Sequence, residues 1–121
     1  MKQFVLAIDF DGTIVDDGYP NIGELKLDAK YYINKLFGEG HWIIINTCRS
    51  GKFENDVIEF LNNNDIKFHE INRNLQHRIE LYKRDCRKIG ADIYIDDRNI
   101  ECNGIIWKDI YRIISNKSME K

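Results

Sequence analysis

The sequence predicts an α/β fold, in which a mostly parallel sheet of about five strands has helices on both faces. Short apolar runs alternate with segments of helical periodicity, and no linker, repeat or low-complexity block interrupts them. Parallel strands are joined by right-handed crossovers, which place helices on the faces of the sheet. A chain of 121 residues, 43% apolar and 31% charged, has the size and composition of a single globular domain. We expect this domain to span residues 1–121, with its core at about 4–114.

The first half of the chain predicts two buried strands, each followed by a helix. The apolar runs at 4–8 and 42–45 are short and uninterrupted, as in strands that are buried on both faces. Apolar residues recur at helical spacing over 29–37 and again over 53–61, and Gly38 ends the first of these helices. An irregular stretch that contains glycine and proline separates the first strand from the first helix.

The second half of the chain predicts three more strands and two more helices. In chain order we expect an edge strand at 66–68, a helix over 75–89, short strands at 93–95 and 104–107, and a helix over 107–114. The third helix is inferred from apolar residues that recur at steps of four and three, from Leu75 through Cys86 to Ile89. The tail at 115–121 is polar, and we expect it to be frayed.

Composition and charge exclude several classes of protein. The longest apolar runs are far shorter than the roughly 20 residues that span a bilayer, and Asp9 interrupts the first run before any signal-peptide cleavage site. The net charge of −2 gives no bulk attraction to nucleic acid. Three cysteines without CxxC spacing argue against a disulfide framework or a zinc site, so we expect a cytoplasmic protein. We expect Cys48 to be a buried, inert thiol.

Acidic and hydroxyl side chains directly follow three of the predicted strands. Asp9 and Asp11 follow the first strand, Thr47 follows the second, and Asp96 and Asp97 follow the fourth. In parallel sheets the ligand binds outside the carboxyl ends of the strands, where these side chains converge. Four carboxylates at one edge repel one another unless a cation neutralises them, and Mg²⁺ prefers oxygen ligands together with a substrate phosphate. The sequence therefore predicts a Mg²⁺ site for a small phosphorylated substrate.

This set of side chains suits phosphoryl transfer. An aspartate is ionised at neutral pH and, when held beside Mg²⁺, attacks phosphorus to form an aspartyl-phosphate. A second aspartate two residues later supplies the proton that the leaving oxygen needs, which typically contributes ~10²–10⁴ in rate. A threonine hydroxyl and a lysine ammonium neutralise the phosphoryl oxygens. These residue types at the strand ends therefore indicate phosphoryl-transfer chemistry.

Three motifs follow the predicted strands in a definite order. The sequence DFDGT begins at Asp9, Thr47 follows Ile-Ile-Ile-Asn, and Asp96 and Asp97 follow Ile-Tyr-Ile. These motifs resemble those of the haloacid dehalogenase-like (HAD) phosphohydrolases, of the small type without a cap domain. The resemblance covers most of the chain and implies a three-layer, Rossmann-like domain. It also implies that Asp9 is the nucleophile, that Asp11 is the general acid/base, and that Thr47 binds the phosphoryl group. The implied Mg²⁺ ligands are the Asp9 carboxylate, the Asp11 backbone carbonyl and Asp96, with Asp97 assisting through water.

The lysine that the resemblance implies has two candidates. Lys88 lies at the expected end of the third helix, and Lys83 lies five residues earlier. We favour Lys88, because residues 88–98 resemble the same segment of small capless members and of deoxyribonucleotidases. Arg49 and Arg98 lie near the same rim, where they bind a substrate carboxylate or second phosphate, or else form surface salt bridges.

The spacing of the motifs leaves no room for a cap domain. We therefore expect an open site, which admits a bulky substrate, a partner chain or any small phosphomonoester, unless a second subunit of a homo-oligomer covers it. The expected rim residues are Tyr19, Asn72, Arg73 and His77. The three histidines lack metal-binding spacing, and we expect structural or solvent-facing roles for His41, His69 and His77.

Three other functions compete with the phosphatase. A two-component receiver domain has a similar sheet and Mg²⁺ pocket, but its acidic pair follows the first strand, whereas Asp96 and Asp97 come late in this chain. A dehalogenase needs neither a second aspartate at Asp11 nor a metal-binding pair. A catalytically inactive HAD-like binding or regulatory module stays open as the alternative, although every expected position is occupied.

Overall fold

The computed structural model describes residues 1–85, 88–100 and 104–120, and these contain four strands and four helices. The elements in chain order are β1 (Val5–Asp9), α1 (Ala29–Gly38), β2 (Trp42–Asn46), α2 (Lys52–Asn63), β3 (Glu70–Ile71), α3 (Gln76–Tyr82), β4 (Ile93–Ile95) and α4 (Trp107–Ser118). All strand pairs are parallel, and the order β3-β2-β1-β4 gives β1 a partner on each side. The α/β fold with a parallel sheet is confirmed, but the sheet has four strands in the described ranges and not about five. None of the helices described is long and apolar enough to cross a membrane.

Apolar side chains of the sheet alternate between its two faces. Leu6 of β1 points to one face, where it belongs to a buried cluster with residues of α1, α2 and α4. Val5 points to the other face and packs with Ile44 of β2 and with Leu75, which precedes α3. Burial of each such aliphatic side chain contributes about 1.5–3 kcal/mol. The two clusters hold β1 between them and so determine where its last residue, Asp9, lies.

Two histidines support the start of the central strands. His41 is buried, and its Nδ1 accepts a hydrogen bond from the backbone N–H of Phe4 at 3.0 Å. Nδ1 of His69 accepts from the backbone N–H of Ile43, also at 3.0 Å. Burial lowers the pKa of both histidines, which favours the neutral form that an acceptor nitrogen requires. The predicted structural role is confirmed for these two residues.

The third helix is shorter than the sequence predicts. α3 ends at Tyr82, because Lys83 adopts a left-handed conformation with φ of 57°. No residue of α3 is buried, so no packing extends this short helix. Lys88 therefore does not lie on the helix, and the predicted helical position of Cys86 lies outside the described residues.

Two predicted strands differ from the structure. β3 begins at Glu70, later than predicted. The backbone N–H groups of the two residues that open the predicted strand are used elsewhere, because Ile66 donates to the carbonyl of Leu61 at 2.9 Å and Lys67 donates to Oδ1 of Asn34 at 2.8 Å. The predicted strand at 104–107 does not form where the structure describes it. Trp107 is instead the first residue of α4, and its Nε1 donates a hydrogen bond to the carbonyl of Thr13 at 3.0 Å.

The C-terminal tail is more ordered than the sequence predicts. α4 continues to Ser118, which is buried. The backbone N–H of Lys2 donates to the carbonyl of Ser118 at 2.7 Å, and the Ser118 hydroxyl donates to the carbonyl of Lys2. The prediction of fraying is therefore wrong for residues 115–118.

Candidate functional site

Three carboxylates meet at the carboxyl edge of the sheet. Asp9 is the last residue of β1, and Asp96 and Asp97 follow β4, in which Ile95 pairs with Ile8 of β1. One carboxylate oxygen from each of the three aspartates can be chosen so that these oxygens all lie within 4.8 Å of one another. All three residues are half-buried. The structure thus brings together three of the aspartates that the sequence places at strand ends.

The hydroxyl of Thr13 joins two of these aspartates. After β1 the chain makes one helical turn, in which the N–H groups of residues 13–15 donate to the carbonyl of Phe10. This turn buries Thr13, whose Oγ1 donates to Oδ2 of Asp9 at 3.1 Å and accepts from the N–H of Asp97 at 3.1 Å. Thr13 therefore orients one aspartate and positions the other. It had no role among the sequence predictions, although its place in DFDGT was the available signal.

Gly12 allows the loop after β1 to pass close to Asp97. Its φ of 85° lies in the left-handed region, and a Cβ at this position would collide with the Asp97 carboxylate. A larger residue would combine an unfavourable backbone conformation with displacement of that carboxylate. The Asp97 carboxylate thus packs directly against the loop backbone.

Acidic groups are crowded together in the interior of the site. The pKa of Asp9 is raised to about 7, first by burial and then by the charges of Asp96 and Asp97, whereas the Thr13 hydroxyl lowers it. Oδ1 of Asp97 is buried and has no hydrogen-bond partner in the described part of the chain. A buried carboxylate oxygen without a partner is costly unless a cation satisfies it. Three carboxylates as oxygen donors fit a hard divalent cation, which these residues could hold.

The carboxylate of Asp11 is bound by Arg49. Nε of Arg49 donates to Oδ2 of Asp11 and Nη2 donates to Oδ1, both at 2.8 Å, in a bidentate ion pair. The same guanidinium donates to the carbonyl oxygens of Pro20 at 3.0 Å and Asn21 at 2.7 Å. The hydrogen bond with Asp11 raises the pKa of Arg49, and the Arg49 side chain is only 1% exposed. Arg49 therefore lies in the interior and not at an exposed rim, and its guanidinium is already bound by Asp11.

Thr47 lies directly after β2, on a loop that Asn72 supports. Oδ1 of Asn72 accepts from the N–H of Thr47 at 2.8 Å, and its Nδ2 donates to the carbonyl of Arg49 at 3.3 Å. Oγ1 of Thr47 accepts from the N–H of Arg49 at 3.1 Å. That bond uses an oxygen lone pair of the hydroxyl and not its proton. The proton of the Thr47 hydroxyl is therefore still able to donate to another acceptor.

The lysine candidates have other contacts. Nζ of Lys88 lies over the ring of Tyr94, 4.9 Å from its centroid, and Lys83 is exposed at the end of α3. Neither lysine forms an ion pair with the clustered aspartates in the ranges that the structure describes. The role of a lysine at this site stays a prediction.

The other predicted positions divide between the site and the surface. Arg98 is exposed, and its backbone N–H donates to Oδ1 of Asp96 at 2.9 Å. His77 packs against Trp42, the first residue of β2, with 4.9 Å between ring centroids. That end of β2 is opposite to the acidic edge, so the prediction of His77 as a rim residue is wrong. Cys48 is exposed, so the prediction of a buried thiol is also wrong.

Comparison with known proteins relates the chain to a solved structure. No protein-family model matches the chain, and no curated protein matches it significantly. Among solved structures, the chain is similar to a conserved protein from Bacteroides thetaiotaomicron. The two chains are 35% identical with a TM-score of 0.85, over 96% of this chain and 93% of the other. The chain belongs to the family of that Bacteroides protein. The family shares the fold over nearly the whole chain, but its function must be inferred from the site.

Proposed function

We propose that the protein is a Mg²⁺-dependent phosphatase of the HAD type, which hydrolyses a phosphomonoester through an aspartyl-phosphate on Asp9. The main support is the buried Oδ1 of Asp97, without a partner in the described residues, beside the carboxylates of Asp9 and Asp96. This arrangement is costly without a cation, and it lies where ligands of parallel sheets bind. The proposal includes a three-layer, Rossmann-like packing of the helices, a cytoplasmic location and a small phosphorylated substrate.

The proposed Mg²⁺ ligands are the carboxylates of Asp9 and Asp96 and the backbone carbonyl of Asp11, and Asp97 belongs to the same acidic cluster. Proteins usually bind Mg²⁺ through one or two carboxylates, waters and a substrate phosphate, so Asp97 acts through a water. When bound, Mg²⁺ would neutralise both the crowded carboxylates and the phosphoryl oxygens.

The chain's own residues carry the two half-reactions. The Asp9 carboxylate attacks phosphorus, and the bond from phosphorus to the leaving oxygen breaks as Asp11 donates a proton to that oxygen. Asp11 then takes a proton from the water that hydrolyses the aspartyl-phosphate, so ester and water yield alcohol and inorganic phosphate. For these transfers Asp11 must give up part of its ion pair with Arg49. The Thr47 hydroxyl and the Lys88 ammonium bind the phosphoryl oxygens.

A catalytically inactive HAD-like binding or regulatory module is the second candidate. Two observations favour it: both carboxylate oxygens of Asp11 bind Arg49, and the ammonium of Lys88 lies over the Tyr94 ring. Such a module would bind a cation and a phosphate without turnover. Activity therefore distinguishes the two candidates.

The test measures hydrolysis of p-nitrophenyl phosphate with Mg²⁺, with excess EDTA and with Ca²⁺. We expect turnover with Mg²⁺ alone, since the larger Ca²⁺ lets the nucleophilic carboxylate bind in a bidentate manner and so occupies its attacking lone pair. Asp9→Asn should abolish turnover and keep the fold, because a neutral amide is a poor nucleophile. The matched control is Asp109→Asn, at a half-exposed position of α4, which should have the wild-type rate.

Full activity in excess EDTA would refute the metal assignment, and turnover by Asp9→Asn would remove Asp9 from the mechanism. A thermal shift with Mg²⁺ but no hydrolysis of any phosphomonoester would instead support the inactive module.

A further inference from the structure

A loop at the carboxyl edge of the sheet is fastened to the candidate site by Arg49. The loop leaves and returns beside the sheet, where the N–H of Asp16 donates to the carbonyl of Glu24 at 2.8 Å. Its tip is held by the bonds from the Arg49 guanidinium to the carbonyls of Pro20 and Asn21. The same guanidinium binds Asp11, so the tip of the loop and the proposed acid/base are both hydrogen-bonded to Arg49. The loop therefore has a defined position beside the site.

This loop presents an aromatic ring, that of Tyr19. The guanidinium carbon of Arg49 lies over the ring, 5.0 Å from its centroid, a cation–π contact that orients it. The ring of Phe53, near the start of α2, packs against Tyr19 with 5.5 Å between centroids. Despite these contacts Tyr19 is 58% exposed. A large aromatic surface is thus fixed in place and yet left in water.

The other exposed aromatic residues that the structure describes do not contact a side chain that binds Asp11. Within the described ranges, Tyr31 lies on α1, Trp42 begins β2, Tyr82 ends α3, and Tyr94 lies under the ammonium of Lys88. Among the exposed aromatic residues described, Tyr19 is thus the one that contacts Arg49, and Arg49 also binds Asp11 of the DFDGT motif.

We propose that Tyr19 is the specificity residue of this site, and that its ring stacks on an aromatic leaving group, so that the preferred substrates are aryl or arylmethyl phosphomonoesters. This inference rests on the proposed phosphatase function. The reaction is unchanged: the phosphorus–oxygen bond breaks, and the products are the aromatic alcohol and inorganic phosphate. Aromatic rings favour offset or edge-on contacts with other rings over contacts with saturated groups of equal size.

The test compares benzyl phosphate with cyclohexylmethyl phosphate, which have similar size and similarly poor leaving groups but differ in aromaticity. For Tyr19→Leu we expect KM for benzyl phosphate to rise about fivefold, equivalent to about 1 kcal/mol, with kcat within about twofold. KM for cyclohexylmethyl phosphate should stay within about twofold. Tyr19→Phe should behave like wild type, because it keeps the ring. Tyr31→Leu, a matched loss of an exposed tyrosine, should change neither substrate.

Binding of the two matching phosphonates, measured by calorimetry with Mg²⁺, separates this inference from the proposed function. If neither ester is hydrolysed but Tyr19→Leu weakens benzylphosphonate selectively, the phosphatase proposal fails and the stacking role stands. If esters are hydrolysed and Tyr19→Leu affects both substrates equally, or neither, the stacking role is refuted. Absence of any preference for the benzyl compounds in wild type would refute it as well. Circular dichroism verifies that the loop variants keep the fold.

Discussion

Replacing Arg49 by methionine removes a buried guanidinium and keeps an unbranched, shorter side chain without charge. The change deletes two hydrogen bonds to Asp11 and one each to the carbonyls of Pro20 and Asn21. Breaking a buried ion pair by removing one partner costs about 3–5 kcal/mol. Because the Asp11 side chain is 19% exposed, water replaces part of what is lost. We therefore expect the free energy of unfolding to fall by about 3 kcal/mol, at the low end of that range.

Urea unfolding followed by far-ultraviolet circular dichroism measures this loss, and a double-mutant cycle with Asp11→Ala isolates the pair. Each single variant leaves the other partner uncompensated, so the double variant should lose less stability than the sum of the singles, by at least about 1.5 kcal/mol. The matched control is Arg112→Met, whose ion pair with Asp109 at 3.3 Å is exposed. It should change stability by no more than about 0.5 kcal/mol.

The reasoning is refuted if Arg49→Met is as stable as the Arg112→Met control. It is also refuted if the losses of Arg49→Met and Asp11→Ala simply add, because the two side chains would then act independently in solution.

Three further outcomes follow from the site and the core. Asp11→Asn given p-nitrophenyl phosphate should release about one nitrophenol per active site and then stall as phospho-Asp9, because only the water step still needs a base; steady turnover near the wild-type rate would contradict this. Lys88→Ala should lower kcat severely, whereas Lys83→Ala should change stability by no more than about 0.5 kcal/mol and leave kcat unchanged; the reverse result would assign the role to Lys83. Burial lowers the pKa of His41, so the unfolded chain binds its proton first, and stability should be lost as the pH falls below about 6.5. His41→Asn keeps an acceptor but cannot titrate, so urea unfolding from pH 7 to pH 5 should show a smaller loss than in wild type, and equal losses would exclude this contribution.

The sheet centre and the first two helices were predictable from local pattern. The runs that form β1 and β2 are apolar without interruption, and α1 and α2 have apolar residues at helical spacing that become their buried faces. The residues at 104–107 and 75–89 were not predictable in this way. A short apolar run is compatible with a strand or with the start of a helix, and a helical pattern without a packing surface does not make a long helix.

The sequence alone determined which acidic residues stand at the ends of strands. Asp9 follows one apolar run, and Asp96 and Asp97 follow another, so their positions are local features of the chain. A parallel sheet then brings such ends to one edge, whatever the details of packing. Convergence of the three carboxylates was therefore predictable before any contact was known.

Only the tertiary structure decided which groups pair. Arg49 and Asp11 are 38 residues apart, and Thr13 and Asp97 are 84 residues apart. Local periodicity carries no information at such separations. Folding can bury a charged or hydrogen-bonding group where water no longer reaches it. Leaving that group without a partner costs more free energy than fixing the conformation of a polar side chain that can bind it. Where those groups lie depends on the packing of every element, and so the partner of Arg49 was settled by the fold as a whole.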